Sequence, residues 1–158
     1  MANTQAICNS FKSEIMLGAH QLGAVTIVSR TSLTAPTVDT IKAAMYFATA
    51  TYNYDTTAYA ATGEVSSAGY SAGGVTVTNA VAPTNSSGSG GAAYWTPSAA
   101  LSWTGVTIAA FDTVLFYNST QSNRAIGVYT FGSQTVVAGN VTLNMPTNGA
   151  TTGLIQLK

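Results

Sequence analysis

Charge is the scarcest property of this 158-residue sequence. Only 6% of its residues are charged, and five Lys and Arg balance five Asp and Glu, which leaves a formal net charge of zero. An average soluble domain carries roughly 25% charged residues. Near-zero net charge favours association, and a surface of Thr, Ser and Asn can be covered by a partner without burying a charge. The composition predicts an associating protein; the alternative is a Thr-rich extracellular β protein.

The few basic residues do not form a patch for a charged partner. They are scattered along the chain at Lys12, Arg30, Lys42, Arg124 and Lys158. Because nucleic-acid binding depends on clustered Lys and Arg, this spacing predicts no nucleic-acid partner. No apolar run approaches the roughly 20 residues of a membrane span, and the first residues do not resemble a signal peptide. The sequence therefore predicts no membrane partner.

Residues for catalysis are equally sparse. Cys8 is the single cysteine, which excludes an internal disulfide and suits a reducing cytoplasm. His20 is the single histidine, and the five acids are spread out as Glu14, Asp39, Asp55, Glu64 and Asp112. Asp55 and Glu64 share a loop that could bind calcium, but their spacing matches no EF-hand. Because hydrolytic and metal sites need several positioned groups, we predict no enzyme and no catalytic, cofactor-binding or metal residue.

Short β-strand patterns are what the sequence has in abundance. Alternating and β-branched runs predict strands at 25–29, 39–48, 75–78, 105–108, 113–117, 125–131, 135–137 and 141–145. Turn residues separate the later strands at 118–123, 132–133, 139–140 and 146–149. Residues 52–74 predict a turn-rich excursion that contains four tyrosines, and residues 85–91 predict a flexible loop. This spacing indicates an all-β domain, a single jelly-roll-like β-sandwich.

One short helix is predicted at the N-terminus. Asn3 or Thr4 can cap it, and Gly18 can end it. Its apolar positions recur at helical spacing and are Ile7, Phe11, Ile15 and Met16. So short a helix needs a docking surface, either its own sheet or a neighbouring subunit. We therefore predict a helix or arm over residues 1–20 and a sandwich domain over residues 21–158, with Phe11 and Ile15 as candidate assembly contacts.

Two tryptophans are the strongest binding-type feature. Trp95 and Trp103 lie on either side of a short Pro- and Ser-containing stretch, and Tyr94 is adjacent. Aromatic side chains can close the end of a core, anchor a subunit contact or stack on sugar rings. We predict core burial first and subunit contact second, which makes Trp95 and Trp103 further candidate assembly contacts.

Several short segments carry a family resemblance. They are Cys8-Asn-Ser-Phe-Lys-Ser-Glu14, Gly18-Ala-His20, Asp39-Thr-Ile-Lys42, Thr57-Ala-Tyr59, Thr62-Gly-Glu-Val65, Gly69-Tyr-Ser-Ala-Gly-Gly74, Tyr117-Asn118, Asn123-Arg-Ala125 and Phe131-Gly132. In these segments, which follow one order over most of the chain, the sequence resembles small structural proteins of tailed-phage virions, most of all capsid decoration (cement) proteins. Residues 83–102 fit the pattern least well.

The resemblance implies a virion protein on the capsid surface, synthesised in the host cytoplasm. Proteins of this kind are often β-sandwiches or jelly rolls that assemble as homodimers or homotrimers over the junctions between capsomers. The implied partners are the major capsid protein and further copies of the chain, and the family supplies no catalytic residue or cofactor. Two alternatives stay open: a tail or collar component, and a carbohydrate-binding module for host attachment.

Overall fold

The computed structural model describes residues 3–16, 20, 22–23, 37–78, 82–87 and 91–158. The predicted strand at 25–29 and the predicted helix stop at Gly18 lie outside these residues. Within them the chain is almost entirely β, with eight strands in two antiparallel sheets and one short helix, α1 (Asn9–Met16). The predicted all-β sandwich with an N-terminal helix is confirmed.

The larger sheet has five strands in the order β1–β7–β6–β2–β3. These strands are β1 (Ala6–Ile7), β2 (Ile41–Phe47), β3 (Val75–Thr76), β6 (Leu101–Asn118) and β7 (Arg124–Leu143). The smaller sheet has the order β4–β5–β8, with strands β4 (Thr84–Asn85), β5 (Ala93–Trp95) and β8 (Ile155–Leu157). Side chains from both sheets meet in one hydrophobic core.

Strand β2 lies between β6 and β3 in the larger sheet. In its sequence Ile41, Ala43, Met45 and Phe47 alternate with the residues between them, a pattern that predicts a strand with one buried face. The structure instead buries both faces, because Ala44 and Tyr46 are as inaccessible as Ala43 and Met45. β6 pairs along the whole of β2 on one side, and β3 pairs with its beginning on the other. A strand that is covered on both faces favours consecutive rather than alternating apolar residues.

Strands β6 and β7 form one long hairpin of 18 and 20 residues. The sequence predicted five short strands here. The turn at 118–123 is confirmed, but the turns predicted at 132–133 and 139–140 are wrong because β7 runs through both positions. The ladder shifts register near each of them, and glycine inside a strand commonly marks such a bulge.

The hairpin has two halves with different surroundings. The near half is residues 111–118 of β6 and 124–131 of β7, where β2 pairs with β6 and β1 pairs with β7. The far half is residues 101–110 of β6 and 132–143 of β7, where β6 and β7 are the only named strands of the sheet.

The N-terminal segment packs into the same core as the sheet. Ala6 and Ile7 pair with β7 as β1, so the helix begins at Asn9, later than the predicted caps at Asn3 or Thr4. The Asn3 side chain instead accepts a hydrogen bond from Tyr52 N at 2.8 Å. Because these contacts tie the segment to the sheet, residues 3–16 form part of the domain and do not project as an arm.

Candidate functional site

The four side chains predicted as assembly contacts lie at different depths. Phe11 is fully buried, and Trp95 and Trp103 are 1% and 3% exposed, so the core placement that we ranked first for the tryptophans is the one observed. Ile15 is partly buried against the core. The folded chain therefore offers little of Phe11 or Trp95 to a partner, whereas Ile15 and the rim of Trp103 border open grooves.

Trp103 borders a groove of about 330 Å³ on the inner side of the far half. Phe111, Phe131, Val136 and Leu143 contribute to its apolar lining. The Trp103 indole Nε1 is buried and finds no hydrogen-bond partner among the described residues. A buried N–H without an acceptor is destabilising, so the Trp103 indole contributes less to stability than its burial alone would give.

The exposed residues of the far half carry no charge, and most of them lie outside the lining of this groove. We call them the hairpin surface, which comprises Ser102, Thr104, Gly105, Thr107, Ala109, Ala110, Gly132, Ser133, Gln134, Thr135, Val137, Ala138, Asn140 and Thr142. None of them is Asp, Glu, Lys, Arg or His. Val137 is 76% exposed, the largest value among the large hydrophobic residues that the structure describes.

Two bulges shape the hairpin surface. Gly105 has φ 64° and lies where β6 carries an extra residue between Trp103 and Val106. Ala138 has φ 47° and lies where β7 carries an extra residue opposite. Side chains anchor both: Gly105 N donates to Asn140 Oδ1 at 3.1 Å, and Ala138 N donates to Thr107 Oγ1 at 2.9 Å. Because bulges bend a strand and increase its twist, they fix how Val137 is presented.

Glu64 lies at the centre of a buried tyrosine cluster. Its carboxylate accepts hydrogen bonds from Tyr59 Oη at 2.7 Å, Tyr70 Oη at 2.8 Å and Gly73 N at 2.7 Å. Tyr117 stacks on Tyr59 with ring centroids 4.7 Å apart and donates to Gly73 O. The carboxylate thus holds parts of the excursion at 52–74 together, and Tyr117 of β6 joins them to the sheet.

These contacts also alter how the tyrosines titrate. Burial, followed by the nearby charge of Glu64, raises the pKa of Tyr117 to about 12. Burial and the hydrogen bond to Glu64 raise the pKa of Tyr59 and of Tyr70 well above the ordinary value. Since both carboxylate oxygens of Glu64 already accept these bonds, and Asp55 lies exposed in a turn, the structure does not gather the two acids into the calcium loop considered above.

His20 lies within a second polar network, at the side of α1. His20 Nε2 is 2.7 Å from Glu14 Oε2, and Arg124 forms an ion pair with the other carboxylate oxygen of Glu14. Asn118 Nδ2 donates to Asp39 Oδ2 at 2.6 Å and lies 3.0 Å from His20 Nδ1. His20 Nε2 therefore faces the Glu14 carboxylate, and Nδ1 faces the Asn118 side-chain amide.

The network joins α1 to the hairpin turn. Burial acts to raise the pKa of Glu14, but hydrogen bonds from His20 and Arg124 outweigh it, so the pKa lies below its ordinary value. In the described part of the chain, His20 has an acid as a hydrogen-bond partner but no Ser or Thr hydroxyl. A Ser–His–acid arrangement is therefore not assembled among these residues.

The described ranges contain neither a metal-ligand cluster nor a membrane-crossing helix. No cluster of three His, Cys, Asp or Glu side chains in these ranges could hold a metal ion. None of the helices in these ranges has the length and apolar character needed to cross a membrane.

The sequence did not predict the hairpin surface as a functional feature. The available signal was the charge distribution, because residues 125–157 contain no Asp, Glu, Lys, Arg or His. The surface was missed because the sequence prediction divided β6 and β7 into five short strands. The exposed positions were therefore assigned to separate elements and not to one surface.

Comparison with known proteins gives no relative for this chain. No protein-family model, no curated protein and no solved structure matches it.

Proposed function

We propose that this chain is a structural protein of a phage virion, a capsid decoration (cement) protein that binds across neighbouring major capsid proteins and stabilises the shell. One observation carries the proposal: the far half of the hairpin presents a long outer surface without charge. A surface of this kind suits a protein that works by being covered. The short sequence segments that resemble tailed-phage virion proteins support the choice of a virion.

The proposed mechanism is the addition of buried area between capsid subunits. Apolar burial contributes about 25 cal/mol per Å², so a small footprint becomes significant when it is repeated over a whole shell. A partner that covers Thr, Ala, Gly and Val buries no charged group, and charged groups are the ones whose burial is most unfavourable. The protein would act at the outside of the capsid after synthesis in the host cytoplasm.

Self-association is part of the proposal, as a homodimer or homotrimer on the shell. The partners are the major capsid protein and further copies of this chain. We propose no enzyme activity, cofactor, nucleic-acid partner or membrane partner. The engagement of Glu14, Glu64 and Asp39 in internal hydrogen bonds supports this choice.

A tail or collar component is the second candidate, because the uncharged hairpin surface suits either location. The carbohydrate-binding alternative is weaker, since the two indoles are 1% and 3% exposed and offer little ring face for a sugar.

The proposal is tested on purified particles of the phage that encodes the chain. We expect mass spectrometry to detect the protein and cryo-electron microscopy to place its density over the junctions between capsomers. Density confined to the tail would favour the second candidate. Absence of the protein from particles that are complete and infectious would overturn the virion proposal.

A further inference from the structure

We infer that the hairpin surface binds the same surface of a second copy of this chain across a two-fold axis near Val137. This inference rests on the proposed function and names the surface and symmetry of the self-association. Three observations support it: the exposure of Val137, the absence of charge, and the edge of β7 with which no described residue pairs in the far half.

The exposure of Val137 is unusual for the described residues. Three large hydrophobic side chains among them are exposed, Val137 at 76%, Tyr54 at 50% and Leu157 at 36%, and of these only Val137 lies on the hairpin surface. Near a two-fold axis a residue meets its own copy. Two Val137 side chains would then cover each other, which removes apolar area from water in both subunits.

The absence of charge makes the surface compatible with a second copy of itself. Identical surfaces bring identical charges together, and like charges opposite each other are destabilising. The hairpin surface has none. The nearest acid in the hairpin, Asp112, is held by hydrogen bonds from Asn3 Nδ2 at 2.7 Å and Thr113 Oγ1 at 2.6 Å. A partner chosen by charge complementarity would find no group here to pair with.

No described residue pairs with the outer edge of β7 along the far half. Described residues pair with β7 on that side only at Gly127 and Val128, through β1. Soluble proteins usually protect so long an edge with Lys, Pro or inward-pointing charges. Residues 132–143 contain none of these and rely on the bulge at Ala138. An edge of this kind is suited to a further strand or to a packed neighbour.

The size of the surface predicts a weak contact. Twelve residues of β7 at about 3.3 Å each span roughly 40 Å, and two strands are roughly 10 Å wide, which gives about 400 Å² per copy. Stable interfaces bury about 800 Å² per partner. The isolated dimer should therefore form and dissociate readily, and attachment of both copies to one particle would strengthen it through effective concentration.

Sedimentation equilibrium of the purified full-length chain tests the inference. We expect wild-type protein to shift from monomer to dimer between about 10 µM and about 1 mM, the range of weak association. Val137→Lys should weaken the dimer at least about tenfold, because it places two like charges near the axis. Thr135→Lys should act in the same direction and serves as a second variant if the first is poorly folded. Tyr54→Lys is the matched control, an exposed apolar side chain outside the hairpin that should leave association unchanged.

Thiol cross-linking adds a second readout. Cys8 is fully buried, so a Val137→Cys variant carries one accessible thiol. We expect a short bis-maleimide to give a covalent dimer of this variant and not of Tyr54→Cys. Wild-type protein that stays monomeric up to about 1 mM, or a dimer that Val137→Lys leaves unchanged, would overturn the inference. Slow modification of Val137→Cys would also overturn it, since it would mean that other residues of the same chain cover the surface.

The result is separable from the proposed function. A solution dimer that depends on Val137, together with absence of the protein from particles, would overturn only the virion proposal. Particles that carry the protein, together with a wild-type chain that does not associate through Val137, would overturn only the two-fold contact.

Discussion

The two halves of the β6–β7 hairpin share the same strands but differ in what surrounds them. In the near half, residues 113–118 of β6 are all buried, as are residues 125–128 of β7. In the far half, buried and exposed residues alternate along β6, and eight of the twelve residues 132–143 of β7 are exposed. The near half lies in the interior of the domain, and the far half carries an exposed surface without charge.

The difference shows that local strand propensity does not determine whether a strand is buried in the core or exposed at the surface. Both halves are rich in Val, Thr and aromatic residues, which favour strands anywhere. Neighbouring elements separate them: β2, β1 and α1 cover the near half, whereas the outer face of the far half has no cover among the described residues. Two pairs of substitutions and one pH experiment test this comparison.

The largest effect is expected from truncating the near half. Phe116 is 1% exposed and packs edge-on against Tyr129, with ring centroids 5.3 Å apart. Phe116→Ala should lower the free energy of unfolding by about 4 kcal/mol, because it removes apolar contacts and leaves a cavity. The matched far-half change, Thr104→Ala, should stay within about 0.5 kcal/mol. Urea denaturation measures both, and equal losses would contradict the division into halves.

A pair of glycines gives the next largest contrast. Gly74 has φ 69°, and a Cβ there would lie 1.8 Å from Ala43 O in β2, so Gly74→Ala should destabilise by about 3 kcal/mol or more. Gly105 has φ 64°, but no atom lies within 4 Å of its Cβ position. Gly105→Ala should therefore lose only the roughly 1–2 kcal/mol of a left-handed backbone. Thermal unfolding compares the two, and a larger loss at Gly105 would show that the far half is more tightly packed than described.

The smallest effect concerns acid. The folded-state pKa of Glu14 is lowered, so the stability it supplies is present above the ordinary value of about 4.5 and is lost as pH falls through the folded-state pKa. Glu14→Gln should destabilise the protein at neutral pH and flatten the acid limb of a stability–pH curve. The far half should not share this dependence, since its residues carry no ionisable side chain. A variant whose acid limb matches wild type would exclude Glu14 as the titrating group.

The sequence allowed part of this to be predicted. The turn residues at 118–123 located the hairpin turn, where Asn118 Oδ1 accepts hydrogen bonds from Thr120 N and Gln121 N. The consecutive apolar run at 114–117 is the local mark of a strand covered on both faces. A sequence pattern can indicate that a strand is buried even when it does not identify the element that covers the strand.

Other features depend on contacts that no local pattern contains. Gly132 and Gly139 have the composition of turns, and only the pairing with β6 makes them positions within a bulged strand. The meeting of His20 with Glu14, Asn118 and Arg124 joins residues up to 110 positions apart. The burial of both tryptophans was ranked first, but the unpartnered Nε1 of Trp103 could be found only from the folded structure.

The central claim is that the far half of the hairpin is the surface through which this protein assembles. Hydrogen–deuterium exchange measured on the full chain at low and at high protein concentration tests it most directly. We expect the amides of residues 132–143 that do not face β6 to exchange quickly when the protein is dilute and to become protected when it is concentrated, while amides in residues 113–118 stay protected throughout. Protection that does not change with concentration, or that changes outside the hairpin surface, would contradict the claim.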